Sequence, residues 1–319
     1  MKSIDPNQEF IKILESKFSK KTQLANFIAD TLFVEKETAY RRLRGEVQFS
    51  LREAIRISRK LNISLDNIIL EPESRDTVLL QLPLFLQNND KKLENAIFFL
   101  KELVSQPYSE LGGALSGLPF SLFLQYPLLA RYYNFRYLYH ISEYKKKVSF
   151  QNTFESKEQI DARDDLYLLY RKISKTFYIW DRKIISTLVN DINYFNYIQL
   201  ISNSEMESLK KELFRFINDL ENLASAGEYK ETGNIFELYI SELDIDKNYV
   251  YMWSEHLYVN MFSTFILFAS ASQDEPTYAH INLWINSFKK CSTLISKSGI
   301  KERILFFNEQ RRIIDTLGQ

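Results

Sequence analysis

Few sets of residues in this chain have the types and spacing that catalysis requires. His140, His256 and His280 stand far apart, with no carboxylate or cysteine spaced to pair with them. The single Cys291 lies eleven residues beyond His280, about three helical turns, so the two cannot meet on one helix. One cysteine also excludes an intrachain disulfide framework and a cysteine-cluster zinc site. Asp161-Ala-Arg-Asp164-Asp165 falls at a helix start, where carboxylates offset the dipole. Gly112-Gly113-Ala-Leu-Ser-Gly117 has the glycine density of a phosphate loop, but Leu118-Pro119 stand where Lys-Ser/Thr must follow. Small residues that permit close helix packing are the better reading there. No HExxH, EF-hand or nucleophile elbow is present. The sequence therefore predicts no enzyme, no metal site and no cofactor.

Residues 34–45 offer chemistry of another kind, hydrogen bonding to an external surface. They read Val-Glu-Lys-Glu-Thr-Ala-Tyr-Arg-Arg-Leu-Arg-Gly. Glu37, Tyr40, Arg41 and Arg44 fall at i, i+3, i+4 and i+7 and share one helical face. Ala39 and Leu43 face another way and can pack inward. Gly45 follows the last turn, where a left-handed stop suits glycine. A helix with small and apolar residues behind and Arg, Lys and Tyr in front suits a DNA major groove. A solvated basic surface helix is the other reading of the same residues.

The elements that must hold this helix are legible on both sides. Residues 8–18 place Phe10, Ile11, Leu14 and Phe18 at helical spacing. Thr22 is the expected N-cap of a second helix whose apolar face is Leu24, Phe27, Ile28 and Leu32. Phe33 and Val34 form a short turn. Ser50-Leu-Arg-Glu53 is a capping box that opens a fourth helix, with Leu51, Ala54, Ile55, Ile57, Ser58 and Leu61 inward. Arg52, Arg56, Arg59 and Lys60 are left outside. Asn62-Ile-Ser64-Leu-Asp66 begins a fifth short helix that ends near Leu70.

This ordered set resembles the lambda-repressor-like (Xre-type) helix-turn-helix. The resemblance covers residues 24–69 of the chain. It rests on Ile28-Ala29 in helix two, Thr38 and Arg41 in the recognition helix, Arg44-Gly45 at its end, the Ser-Leu start of helix four and the closing Ile-Ser-Leu-Asp. It implies base-edge contacts from Lys36, Glu37 and Arg41, and phosphate contacts near Arg44 and the start of helix four, where Arg52 and Arg56 stand. Thr38 and Tyr40 lie on or beside the same surface, and Tyr40 can pack on a thymine methyl or reach the backbone. It also implies a homodimer on two half-sites about one DNA turn apart. Two positions depart from the family. Phe33 occupies the turn position usually taken by Gly, where a positive φ is costly. Arg42 occupies a position often apolar, which leaves the face assignments open by one residue.

The rest of the chain changes texture after Glu71-Pro72-Glu-Ser. We place a helix-turn-helix domain at 1–71 and a larger, mostly helical domain at 75–319. Pro83 suggests an edge strand in 77–86. Helices are expected at 91–104, burying Leu93, Ala96, Ile97, Leu100 and Val104, and over 128–140. There Tyr132, Tyr133, Phe135, Tyr137 and Tyr139 form an aromatic core or dimer helix, with a ligand pocket as the other reading. Further helices are expected at 164–177, at 180–199, from a capping box at Ser204 to Gly227, from Pro276 to about 292, and at 298–317 with Ile304, Phe307, Ile313 and Ile314 inward. Residues 235–240 and 248–253 read as a β-hairpin, and 257–268 as either strand or buried helix. The fold expected is mainly α, all-α apart from that small hairpin or sheet. The texture of 283–307, with Leu118-Pro119 and the 180–195 helix, resembles the C-terminal region of some large uncharacterised bacterial helix-turn-helix proteins. That implies an accessory domain of unknown role. No 34-residue repeat of the tetratricopeptide kind is seen.

Charge supports a division of labour. Residues 1–70 hold 13 basic and 9 acidic side chains, and the remainder 28 and 32, so a formal net charge of zero hides a basic head on an acidic body. The apolar runs are too short and interrupted to span a bilayer, and the start lacks a signal core, so a cytoplasmic protein is expected. The favoured reading is a sequence-specific DNA-binding transcriptional regulator. Its partners would be double-stranded DNA, a second copy of the chain, and a ligand or protein on the C-terminal domain. The alternative is a non-enzymatic interaction scaffold whose helix-turn-helix no longer binds DNA, because Glu35, Glu37 and Glu46 dilute its basic surface.

Overall fold

The apolar spacing of the first sixty residues folds into α1 (Pro6–Ser16), α2 (Lys21–Leu32), α3 (Lys36–Leu43) and α4 (Leu51–Leu61). The computed structural model describes residues 5–18, 20–61, 65, 89–142, 148–263, 269–273 and 275–319. The chain divides into two compact units, Met1–Leu79 and Leu80–Gln319. The textural change at 71–75, the fifth helix and the edge strand over 77–86 lie outside the described residues.

Asp5 caps α1, its carboxylate accepting the Asn7 amide at 3.0 Å, with Pro6 at the first helical position. Thr22 is not the cap of α2. The helix starts at Lys21 with Lys20 in the cap position and no capping side chain, which leaves Thr22 inside the first turn. The α4 capping box forms as expected: the Ser50 amide donates to Glu53 Oε2 at 2.9 Å, and the Glu53 amide donates to Ser50 Oγ at 3.3 Å. Phe10, Leu14, Leu24, Ile28, Ala39 and Ile57 are the buried centre. Leu51 is 73% exposed rather than inward. It sits at the first position of α4, at the margin of the apolar stripe.

The larger unit overturns the mainly-α expectation. Its centre is a seven-stranded mixed sheet of order β6-β5-β4-β1-β2-β3-β7. The strands are β1 (Ser109–Leu115), β2 (Lys175–Trp180), β3 (Ile235–Ser241), β4 (Tyr249–Ser254), β5 (Leu257–Ser263), β6 (Ala269–Ser272) and β7 (Ser292–Leu294). β1, β2 and β3 run parallel, and the outer strands pair antiparallel. The segments 235–240 and 248–253 are strands but not a hairpin, because β1 and β2 lie between them. β5 settles the ambiguous 257–268 segment as strand over its described part.

The helices of this unit are α5 (Asn89–Val104), α6 (Phe120–Phe123), α7 (Pro127–Ile141), α8 (Lys157–Arg171), α9 (Ser186–Tyr197), α10 (Asn203–Ala226), α11 (Glu275–Phe288) and α12 (Ile300–Asp315). The expected helices at 164–177 and 180–199 give up their shared boundary to β2. α10 is capped by Ser202 and Glu205, not by Ser204, and ends at Gly227 with φ 67°. The earlier box places Met206 and Leu209 on the buried side. In α12 the inward stripe is Arg303, Phe306, Phe307, Gln310 and Ile314. Two of its members are polar, which hid the period and misplaced Ile304, an exposed residue.

The sheet is covered on both faces. One face carries Leu111, Tyr178, Trp180, Leu238 and Met252 into the main core with α7 to α10 and α12. Tyr132, Tyr133, Phe135 and Tyr137 of α7 are buried there, so the aromatic run is core. The other face packs Ala114, Phe177, Ile179 and Tyr251 against Ile285 of α11. Gly112 and Gly113 stand mid-strand in β1, not in a loop or a helix contact. A Cβ at Gly112 would lie 2.6 Å from ring atoms of both Phe177 and Tyr251, and both rings are buried. Gly112→Ala should therefore destabilise the chain by about 1–3 kcal/mol through overpacking, seen as a lower midpoint in urea unfolding. Gly117→Ala, with its nearest contact at 3.6 Å, should leave the midpoint near that of the parent.

Candidate nucleic-acid interface

The turn between α2 and α3 is built on Phe33. The amides of Phe33 and Val34 both reach the Ala29 carbonyl. This requires φ 57° and ψ 48° at Phe33, the left-handed region, in a residue with a side chain. Such a conformation costs roughly 1–2 kcal/mol. The turn keeps its geometry although a glycine is absent. The Phe33 ring is 85% exposed, and the Arg56 guanidinium lies over it at 5.7 Å.

α3 presents the expected faces. Ala39 is fully buried and Leu43 packs on the same cluster. Lys36, Glu37, Arg41 and Arg44 are exposed, and Thr38 and Tyr40 are half-buried. α3 ends in a Schellman stop: the Gly45 amide donates to the Arg42 carbonyl at 2.9 Å and the Glu46 amide to the Arg41 carbonyl at 3.0 Å. Gly45 takes φ 76° there. Arg52 and Arg56, with Arg59 and Lys60, are exposed along α4. With Phe33 and Arg42 in place, Ala39 and Leu43 are on the packed side of α3.

Arg42 has a structural task. Its Nη2 donates to Glu53 Oε1 at 2.7 Å and its Nε to Oε2 at 3.4 Å. The pair is mostly buried, with side-chain exposures of 13% and 21%. Glu53 is also the capping residue of α4, so one carboxylate ties the end of α3 to the start of α4. Burial alone would raise the Glu53 carboxyl. The Ser50 amide, the Arg42 guanidinium and the Ser50 hydroxyl outweigh it and hold the carboxyl below its usual range. Asn7 adds a second tie, its Oδ1 accepting the Phe49 amide at 3.0 Å. Sequence reading found the capping box but not its Arg42 partner, eleven residues away.

The basic face is internally paired at one end. Arg44 Nε meets Glu46 Oε1 at 2.6 Å and its Nη2 meets Glu37 Oε1 at 2.9 Å. Arg41 Nε lies 3.4 Å from Glu46 Oε2. The Arg44 hydrogen bond lowers the Glu46 carboxyl, and Glu46, then Glu37, raise the already high Arg44. Among the described residues, Lys36, Arg52 and Arg56 have no carboxylate within ion-pair distance. The sites considered for catalysis do not converge: His140, His256 and His280 are exposed on separate elements, and Cys291 Sγ sits 3.2 Å from the Phe288 carbonyl. Comparison with protein-family models, curated proteins and solved structures gives no match.

Glu53→Gln should lower the stability of the N-terminal unit by about 1–2 kcal/mol at pH 7, by weakening both the cap and the ion pair. The folded-state carboxyl titrates below its unfolded value of 4.5. Its stabilisation is therefore full above that value and fades as pH falls through the folded-state one. The gap between parent and variant in thermal unfolding followed by circular dichroism should close in acid.

Proposed function

We propose that the chain is a sequence-specific DNA-binding transcriptional regulator whose N-terminal unit docks α3 in the major groove. The C-terminal unit would serve dimerisation or the sensing of a ligand or partner. The observation that carries this reading is the disposition of cations around the turn. Lys36 on α3 and Arg52 and Arg56 on α4 are exposed and, among the described residues, without carboxylate partners, while Ala39 and Ile57 anchor the two helices from behind. Phosphate contacts from the start of α4 would fix the register, and Lys36, Glu37 and Arg41 would read base edges. No helix among the described residues is long and apolar enough to cross a membrane.

One observation favours a second reading, a protein-interaction scaffold. Glu46 and Glu37 already occupy Arg41 and Arg44, which a DNA binder must free. Salt titration on random duplex separates the two. A DNA binder loses affinity steeply as salt rises, through counterion release, whereas no binding at low salt favours the scaffold.

Arg41→Ala should cost about 1–3 kcal/mol on the cognate site and relax selection at one base pair. Arg56→Ala should weaken all sequences alike and flatten the salt slope by about one. Selected-site sequencing and fluorescence anisotropy measure both. Glu46→Gln should tighten binding to random duplex, because it frees Arg41 and removes one of the two carboxylates that hold Arg44. Unchanged or weaker binding would show that the pairing does not compete with DNA.

A further inference from the structure

The C-terminal unit holds an open cleft of about 330 Å³ between α6, the following Gln125 and Tyr126, α8, α10 and the loop after α10. At its wall is Arg171, the last residue of α8. The Arg171 side chain is 8% exposed, and its nearest carboxylate, Glu231, stands 4.0 Å away and is itself 58% exposed. Among the described residues the guanidinium donates one hydrogen bond, a long one of 3.4 Å from Nη1 to the Tyr167 carbonyl. A guanidinium has five donors, so most of this group's capacity is unused. No Arg171 nitrogen is fully buried without a partner, so its unbonded donors open on the cleft that the residue lines. The group is nevertheless held in place: it lies 3.3 Å from the centroid of the Tyr167 ring and 5.2 Å from that of Tyr229. Its backbone carbonyl accepts Thr232 Oγ1 at 2.8 Å and Asn234 Nδ2 at 2.9 Å. These bonds fix the loop that carries Glu228, Tyr229, Lys230 and Glu231 along the cleft.

Asp219 lines the same cleft. Its Oδ2 accepts the Tyr126 hydroxyl at 2.8 Å and lies 3.9 Å from Arg215 Nε. Its Oδ1 takes no hydrogen bond among the described residues. Phe216, Leu220 and Leu223 add an apolar wall.

We propose that this cleft binds a free α-amino acid with an apolar side chain, its carboxylate on the Arg171 guanidinium and its ammonium on Asp219. A stacked guanidinium with open donors matches a carboxylate bidentately. The lining carries both signs of charge, Asp219, Glu228 and Glu231 with Arg171 and Lys230, which suits a zwitterion; Arg215 and Lys297 meet Asp219 and Glu228. The volume stands at the lower end for small-molecule sites, which suits an amino acid better than a nucleotide. The apolar wall takes the side chain.

The test is calorimetric titration of the full chain with leucine, isoleucine, valine, methionine, phenylalanine, tyrosine and tryptophan. Each ligand is matched by its amide, which lacks the carboxylate, and its N-acetyl derivative, which lacks the ammonium. At least one free amino acid should bind, with its amide and N-acetyl forms about tenfold weaker or more. Arg171→Lys should weaken binding by about tenfold or more, and Asp219→Asn should erase the preference for the free amine. The ligand comparison on the parent chain stands even if Arg171→Lys fails to fold. No binding of any of the seven up to about 10 mM, or an amide bound as tightly as its acid, would overturn the proposal.

Discussion

A strand at the middle of a sheet covered on both faces must find apolar contacts on each side, and β1 meets that demand with two adjacent glycines. Its neighbours supply the missing volume. Phe177 from β2 and Tyr251 from β4 close over Gly112 from either side, leaving no room for a Cβ. Close approach of these rings brings α11 down on one face, while Leu111 and Leu115 of the same strand join the main core on the other. The parallel β1-β2-β3 core and its flanking helices depend on this interlock.

The smaller unit relies on an ionic constraint instead. With a small apolar centre, the packing of α3 and α4 is reinforced by the Arg42–Glu53 pair and by the Asn7 tie to Phe49. A mostly buried ion pair carries a desolvation penalty, but Glu53 also accepts from Ser50, so its oxygens are well satisfied. The arrangement holds the surface of α3 at a defined angle to α4, which any recognition role would require. The left-handed Phe33 shows the same priority, since backbone strain is tolerated where the turn must keep its shape.

Charge is managed differently in the two units. On α3 the carboxylates of Glu37 and Glu46 sit beside exposed arginines, where water and salt screen their pairing and exchange is easy. At Arg171 the cation is buried, stacked on aromatic rings and only loosely met by an exposed carboxylate. The first arrangement permits competition by an external anion, and the second leaves donors open for one.

The helices of the first sixty residues were legible because their signals are local. Ser50 with Glu53 and the stop at Gly45 act within a few residues, and the period of Phe10, Leu14, Leu24 and Ile28 is that of surface helices, whereas the caps at Asp5 and Lys20 were not anticipated. The stop at Gly227 was readable for the same reason. The sheet was not. β1 and β2 are buried on both faces, so they lack the alternation that marks a strand and read as helix or loop. Whether β3 and β4 pair with each other or stand apart depends on strands more than fifty residues away. The Arg42–Glu53 contact, the left-handed Phe33 and the cleft at Arg171 likewise join residues whose meeting only the packed chain decides. Local composition and spacing thus determined the helical elements and the basic stretch, while long-range burial, which acts between segments and not along them, decided the architecture.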